Sequence, residues 1–377
     1  MSGPLSGLKV IELAGIGPGP YACMLLADAG ADVLRLERGD LDAEATTTFD
    51  VLNRSRPSVA LNLKNVAGRD LVLELVERAD VLIEGFRPGV TERLGLAPAD
   101  CWERNRRLVY GRMTGYGQSG PLSGRAGHDV NYVAISGALW PIGRQGERPT
   151  PPLNLVGDFG GGSMFLVFGV LAAVYAAQRS GEGQVVDAAM VDGSASMLAM
   201  THSFMNGGYW TEERGVNMLD TGAHFYEVYE TSDGRYVAVG AIEAQFYRQL
   251  LDGLGLLDEA LPDQSDRTQW PAMKERFAAI FRTKTRDEWT EIFGDRDACV
   301  TPVLSPSEAV THPYNVAREV YVTGATPQPS PAPRFSATPS SISAPPRSPG
   351  SGTREGLAKW GVDEARIEEL RSAGAFG

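Results

Sequence analysis

Short apolar runs of strand length alternate with helix-length segments through the first third of the chain. "LKVIELA", a Gly/Pro turn, "YACMLLADAGA" and "DVLRLER" read as strand, loop, helix and strand. "SVALNL", "AGRDLVLELVERA" and "DVLIEGF" repeat that unit, and "LVYGRMTGYG" reads as a further buried strand ending in glycines. Strands interleaved with helices at this spacing predict an α/β fold with a parallel, doubly wound, Rossmann-like sheet. Such sheets bind ligands at the carboxyl ends of their strands. Residues 164–178 and 185–206 read as long helices. The period then changes. "FYEVYETSDGRYVAVGAIE" alternates about an Asp-Gly turn and predicts a β-hairpin opening a smaller α+β domain. Helical segments follow to about residue 297. "TPQPSPAPRFSATPSSISAPPRSPGSG" reads as an extended connector, and "TREGLAKW" and "VDEARIEELRSA" as two closing helices. The expected organisation is a large domain over 1–186 and 330–377, a helical linker over 187–224, a small domain over 225–310 and a return linker over 311–329.

Composition narrows the function classes. A chain of 377 residues exceeds what one core usually serves. With 43% hydrophobic and 22% charged residues it reads as an ordinary globular protein. A net charge of −12 argues against nucleic acid, which needs a basic face. Cys23, Cys101 and Cys299 are odd in number and widely spaced, so neither a disulfide framework nor a metal site is expected, and a reducing compartment fits best. "MSGPLSGLKVIELAG" lacks the features of a signal peptide, and the final "AFG" is not a peroxisomal address. The most apolar run, "MFLVFGVLAAVYAA", covers about 14 residues, too short to span a bilayer, and reads as a buried core helix. The cytoplasm is the expected location.

The strand ends carry the chemistry. Gly15 and Gly17 follow a strand and Glu37 ends the next, which imitates a dinucleotide fingerprint. Pro20 stands at the third glycine position, however, and Pro18 and Pro20 remove two N–H groups from the loop that would cradle a pyrophosphate. A structural turn is the expectation. Arg38, Arg54, Arg56, Lys64, Arg87 and Arg93 recur at strand ends in an acidic chain, and arginine forks suit a small polyanionic ligand. His128, one of four histidines, stands beside an acid in "GRAGHDVNYVAISGAL". Asp158 precedes three glycines in "LNLVGDFGGGSMFL", which lets a ligand approach the main chain, and Glu243 ends the strand in "YVAVGAIEAQFY". Residues alone leave each of the three open between a structural role and acid–base chemistry.

Those stretches, together with "PLSGLKVIELAGIGPGPYACMLLADAGADVLRLER", "NRSRPSVALNLK", "ADVLIEGFRPGVTERLGL", "RMTGYGQSGP", "GQVVDAAMVDG", "DGRYVAVGAIEAQFY" and "CVTPVL", run nearly end to end. They resemble the α-methylacyl-CoA racemase branch of the family III CoA-transferase superfamily. The resemblance implies an isomerase of lipid metabolism that interconverts (R)- and (S)-2-methylacyl-CoA thioesters by two-base 1,1-proton transfer through an enolate. His128 and Asp158 are the implied bases, Glu243 the residue orienting the histidine, and the backbone N–H of Asp129 the implied donor to the enolate oxygen. Implied CoA-binding positions are Arg38, Leu61, Asn62, Leu63, Lys64, Gly85, Phe86, Arg87, Arg93, Gly127, Asn131 and Tyr132; Asn62 stands where many relatives carry aspartate. No cofactor is implied, because CoA is part of the substrate. An interlocked homodimer with shared active sites is implied, each site taking the large domain of one chain and the small domain of the other.

Two alternatives remain. A family III CoA-transferase would use Asp158 as a nucleophile, but transferases generally lack a histidine at the position of His128 and tend to carry a glycine-rich loop where this chain reads "VGAIEAQ". A non-catalytic acyl-CoA-binding protein would leave His128 and Asp158 without purpose. Met190, Met197, Met200 and Met205 read as a helical core or as a pliable surface for acyl chains.

Overall fold

Six parallel strands form the central sheet of the larger unit, in the order β3-β2-β1-β4-β5-β6. The structure is a computed structural model that describes residues 3–44, 46, 48–324 and 326–377. Residues 1 and 2, 45 and 47 of the expected large domain, and 325 of the expected return linker, lie outside them. In chain order the unit contains β1 (Lys9–Leu13), α1 (Pro18–Asp28), β2 (Asp32–Glu37), β3 (Ser58–Ala60), α2 (Val66–Val76), β4 (Val81–Glu84), α3 (Val90–Leu94), α4 (Pro98–Arg104), β5 (Val109–Thr114) and α5 (Asp129–Ile135). A π-helical turn over Leu155–Met164, α6 (Phe165–Ser180), β6 (Val185–Ala189) and α7 (Met190–Ser196) follow.

The strands are short apolar runs because both faces of the sheet are covered. Ile11, Leu34, Val59 and Leu82 point to one core, and Val10, Val33, Val81 and Val109 to the other. Each such side chain, once fully buried, contributes about 1.5–3 kcal/mol. The expected helix over 185–206 does not form as one element: residues 185–189 are the edge strand β6, and the helical run after it breaks between Ser196 and Ala199. The apolar helix α6 is also less buried than its composition predicted. Leu166, Val170, Ala173, Val174 and Ala177 pack on the sheet, while Phe165, Phe168 and Tyr175 are exposed. Joined to the π turn, it makes a 26-residue helical run over Leu155–Ser180 that by length and composition alone suffices to cross a membrane. Its packing on β5 and β6, with Leu166 and Val170 against Gly111 and Gly169 against Val186, is that of a core helix.

Residues 137–152 and 198–318 form a second unit, and the larger unit takes 1–136, 153–197 and 319–377. The second unit thus includes 137–152, which the sequence reading assigned to the large domain. It holds α8 (Ala199–Asn206), β7 (Tyr226–Glu230), β8 (Tyr236–Gly240), α9 (Ala244–Gly253), α10 (Trp270–Phe281), α11 (Arg286–Gly294), β9 (Val300–Pro302), α12 (Pro306–Thr311) and α13 (Pro313–Ala317). The expected hairpin is the antiparallel pair β7–β8, which β9 extends. Phe277, Phe281, Trp289 and Phe293 fill the core behind it.

The chain returns to the larger unit through β10 (Tyr321–Val322), β11 (Gln328–Pro329), α14 (Thr353–Lys359) and α15 (Glu364–Ser372). The Pro/Ser tract has little regular structure but is pinned along its length. The Arg54 guanidinium donates to Gln328 Oε1 (2.9 Å) and to the Pro329 carbonyl (2.7 Å), and the Ser55 N–H to the Ala344 carbonyl (2.9 Å).

Candidate active site

Strand order reverses between β1 and β4, and the crevice at their carboxyl ends is a cleft of ≈ 480 Å³. The loops after β1, β4 and β5 line it, together with His128, Tyr132 and Asp158. The glycine loop after β1 makes a tight entry into α1. Gly17 has φ 69° and precedes Pro18, the first residue of α1, so the chain enters the helix through a left-handed residue. A Cβ on Gly17 would lie 3.3 Å from Asp158 Oδ2. Glu37, the acid a ribose would need, accepts from Ser58 Oγ at 2.7 Å and from Arg35 Nε at 3.2 Å.

His128 precedes α5 with extended backbone, and its N–H donates to Asn131 Oδ1 at 3.0 Å. That contact fixes the start of the helix and leaves the imidazole exposed at the cleft. Asp129 turns inward. Its carboxylate is buried, and Oδ2 accepts the backbone N–H of Asp158 at 2.7 Å. Gly157 has to be glycine here, since a Cβ would come within 2.5 Å of that carboxylate. One hydrogen bond therefore links the residue after His128 to the residue expected to be its partner.

Asp158 is half-buried in the π turn. Burial raises its carboxyl above the usual carboxylate range and the charge of Asp129 adds to this; a 3.3 Å hydrogen bond from Asn154 and the nearby His128 pull the other way. The three following glycines each meet close neighbours. A Cβ on Gly161 would lie 2.6 Å from the Ser194 N, and one on Gly193 1.9 Å from the Gly161 carbonyl, so glycine lets α7 lie against the π turn. Tyr132 backs the site. Its ring lies edge-on to Tyr116 at 5.0 Å and occupies the space a Cβ on Gly115 or Gly127 would need. Its hydroxyl donates to the Gly127 carbonyl, and burial pushes it up to about 12.

The basic cluster divides in two. Arg54 and Arg56 are buried in ion pairs with Asp28 (2.6 Å) and Glu12 (2.8 Å), which corrects the expectation that they face a ligand. Arg38, Lys64, Arg87 and Arg93 are exposed, and none makes a salt bridge among the described residues. Arg38 and Lys64 line a second cavity of ≈ 350 Å³ with Leu61, Asn62, Leu63 and Phe86. Asn62 shapes its own turn, accepting the Lys64 N–H at 3.1 Å. Gly85, Phe86, Arg87 and Gly127 line the main cleft, so Phe86 borders both cavities. Arg93, Asp129 and Asn131 line neither.

Glu243 belongs to the second unit, where it precedes α9 and is exposed. Of the four methionines, Met190 is buried and lines the cleft, whereas Met200 and Met205 fall in the second unit. No group of three or more His, Cys, Asp and Glu side chains suited to a metal occurs among the described residues.

Sequence reasoning missed Glu84. It ends β4, is 3% exposed and lines the cleft, and burial pushes its carboxyl up to about 7. Its signal was present: an acid ending an apolar run, the same feature that singled out Glu243.

Residues 5–354 match CoA-transferase family III. A curated α-methylacyl-CoA racemase from Mus musculus is 46% identical over 372 residues, covering 98% of this chain and 96% of that protein. The Homo sapiens protein of the same name is 44% identical over 374 residues, with 98% and 96% covered. A solved CaiB/BaiF family protein from Brucella suis, 23% identical, superposes with a TM-score of 0.82 over 96% of this chain and 100% of that one, a likeness of fold.

Proposed function

The chain belongs to CoA-transferase family III, and we propose that it is an isomerase, a racemase interconverting (R)- and (S)-2-methylacyl-CoA thioesters. The observation that carries this reading is the presence of His128 and Asp158 in one cleft, close enough for the imidazole to influence the carboxyl. One base takes the α-proton from one face, and the other returns a proton to the opposite face of the enolate. Asp158, raised by burial, is suited to hold a proton as well as to remove one. Asp129 does not itself line the cleft, but its N–H directly follows His128, which does, in the first turn of α5, where backbone donors have no intrahelical partner, and is the proposed donor to the enolate oxygen. The thioester acidifies the α-carbon, so the reaction as proposed calls for no cofactor.

Arg38 and Lys64 are proposed to meet the phosphates and Arg87 the CoA arm nearer the thioester. The shared wall at Phe86 supports one ligand running through both cavities. A homodimer with shared sites is proposed as well, with Glu243 of one chain orienting His128 of the other. The exposed apolar stripe of Phe165, Phe168 and Tyr175 on α6 supports a covered face there. The cytoplasm is the proposed compartment, in keeping with three unpaired cysteines.

The test supplies one enantiomer of a 2-methylacyl-CoA in deuterated water without a second acid. Deuterium should enter the α-position as the centre inverts, and Asp158→Asn and His128→Ala should each slow this by about 10²- to 10⁴-fold. An active enzyme that leaves the α-hydrogen in place and yields an Asp158 hydroxamate with hydroxylamine would be a transferase.

A further inference from the structure

We propose that Glu84 is a positioning residue for the acyl-CoA: its carboxylate, held by Arg112, fixes the Phe86–Arg87 loop where the two cavities meet. The inference rests on the acyl-CoA reading above. Glu84 Oε2 accepts the Phe86 N–H at 2.7 Å, so the first turn of backbone after β4 is tied to the strand's own last side chain. Glu84 and Arg112 are register partners on adjacent strands and therefore share a face of the sheet, with Oε1 3.4 Å from Arg112 Nε. Arg112 also donates to Gln118 (2.7 Å), to Thr91 (3.2 Å) and to Glu92 (2.6 Å), so the ends of β4 and β5, the loop after β5 and α3 share one guanidinium. Phe86 lines both cavities and Arg87 the main cleft, so a shift of this loop moves both.

The group is also set to titrate in a useful range. Burial drives its carboxyl up to about 7; the Phe86 N–H and Arg112 oppose that, and the charges of Glu92 on α3 and Asp187 on β6 reinforce it. Tyr110 of β5 lies close as well, while Glu12 at the end of β1 projects to the opposite face, neutralised by Arg35 and Arg56. When ionised, Glu84 holds the Phe86 N–H through a charge-assisted bond, and protonation weakens that bond and the contact with Arg112. Affinity for acyl-CoA should therefore fall as pH drops through about 7. The stability effect has the opposite sign. Because the folded carboxyl lies above its ordinary value, the native state binds the proton more tightly, and this group destabilises the fold as pH rises through about 7.

The experiment measures KM and kcat for a 2-methylacyl-CoA, and CoA affinity by calorimetry, from about pH 5.5 to about pH 8.5. The wild type should show KM rising toward low pH. Glu84→Gln should show KM raised about 10-fold at high pH and flat with pH, kcat within about twofold, and a melting temperature at or above that of wild type at alkaline pH. Arg112→Lys, which keeps the charge but loses the fork, should move the KM transition to higher pH. A flat wild-type profile, or a Glu84→Gln profile that follows the wild type, overturns the proposal. A wild type that binds no CoA overturns the acyl-CoA reading and this inference together, whereas CoA binding and α-exchange with no effect of Glu84 overturns only the inference.

Discussion

Replacing Asp129 separates two things that one carboxylate does. Its Oδ2 is the acceptor for the Asp158 N–H at 2.7 Å, and its charge helps hold the Asp158 carboxyl above the usual range. Asp129→Ala removes both. The Asp158 N–H then faces a buried space without its acceptor, a loss of about 1.5–3 kcal/mol for a hydrogen bond to a charged group. If the π turn moves by that amount against the productive geometry, the rate falls by about 10- to 100-fold. Asp129→Asn leaves an amide oxygen to accept the same N–H but removes the charge. The turn should then stay in place, while Asp158, freed of a like charge, titrates lower. In the direction that begins with Asp158 ionised, the acid limb of kcat/KM should move to lower pH in Asp129→Asn, with the plateau within about threefold of wild type. The assay follows each enantiomer separately by chiral chromatography of the released acid across the pH range. Full activity of Asp129→Ala, or an acid limb that stays put or moves upward in Asp129→Asn, would refute the reasoning.

Arg87→Ala should raise KM while largely sparing kcat, and affinity for CoA should weaken with added salt; calorimetry over a salt series checks both. Co-expressed His128→Ala and Glu243→Ala chains should regain activity in verified heterodimers, and a monomer by light scattering contradicts the shared site. Asp28→Ala strands the buried Arg54 guanidinium and should cost about 3–5 kcal/mol by chemical denaturation, without changing KM in the folded fraction.

Much of the fold was legible because β1 to β5 are buried on both faces and therefore read as short apolar runs between helices. Strand β6 was lost for the converse reason. It lies at the sheet edge with Val185 and Asp187 exposed and Val186 half-buried between them, and Met190 begins a helix directly after Ala189 with no turn residue to mark the change. His128 and Asp158 stood out by residue type and flanking glycines, although the glycines after Asp158 turn out to admit a helix. Arg54 and Arg56 misled because their partners, Asp28 and Glu12, are remote in sequence, and a cation looks free until the fold supplies its acid. Glu84 was passed over for a related reason: it carries the same signal as Glu243, but an acid at a strand end reads as solvent-facing until the sheet order covers it.

The same carboxyl, Asp158, serves a racemase or a transferase, so the distinction turns on what surrounds it. A nucleophile that forms an anhydride has to be ionised when the carbonyl carbon arrives, and burial together with a neighbouring like charge works against that state. A proton carrier gains from the same surroundings, because it must be protonated in one half of its cycle and ionised in the other. In the same cleft, His128 is held outside the helix by Asn131, and the first-turn N–H of Asp129 follows at once in the chain. The proposed base and the proposed donor for a developing oxyanion are therefore adjacent residues, and the side chain of the second supports the backbone of the other proposed base. Anhydride chemistry at Asp158 requires neither His128 nor the tie between Asp129 and the π turn. Proton transfer across two faces of an enolate, as proposed, uses both.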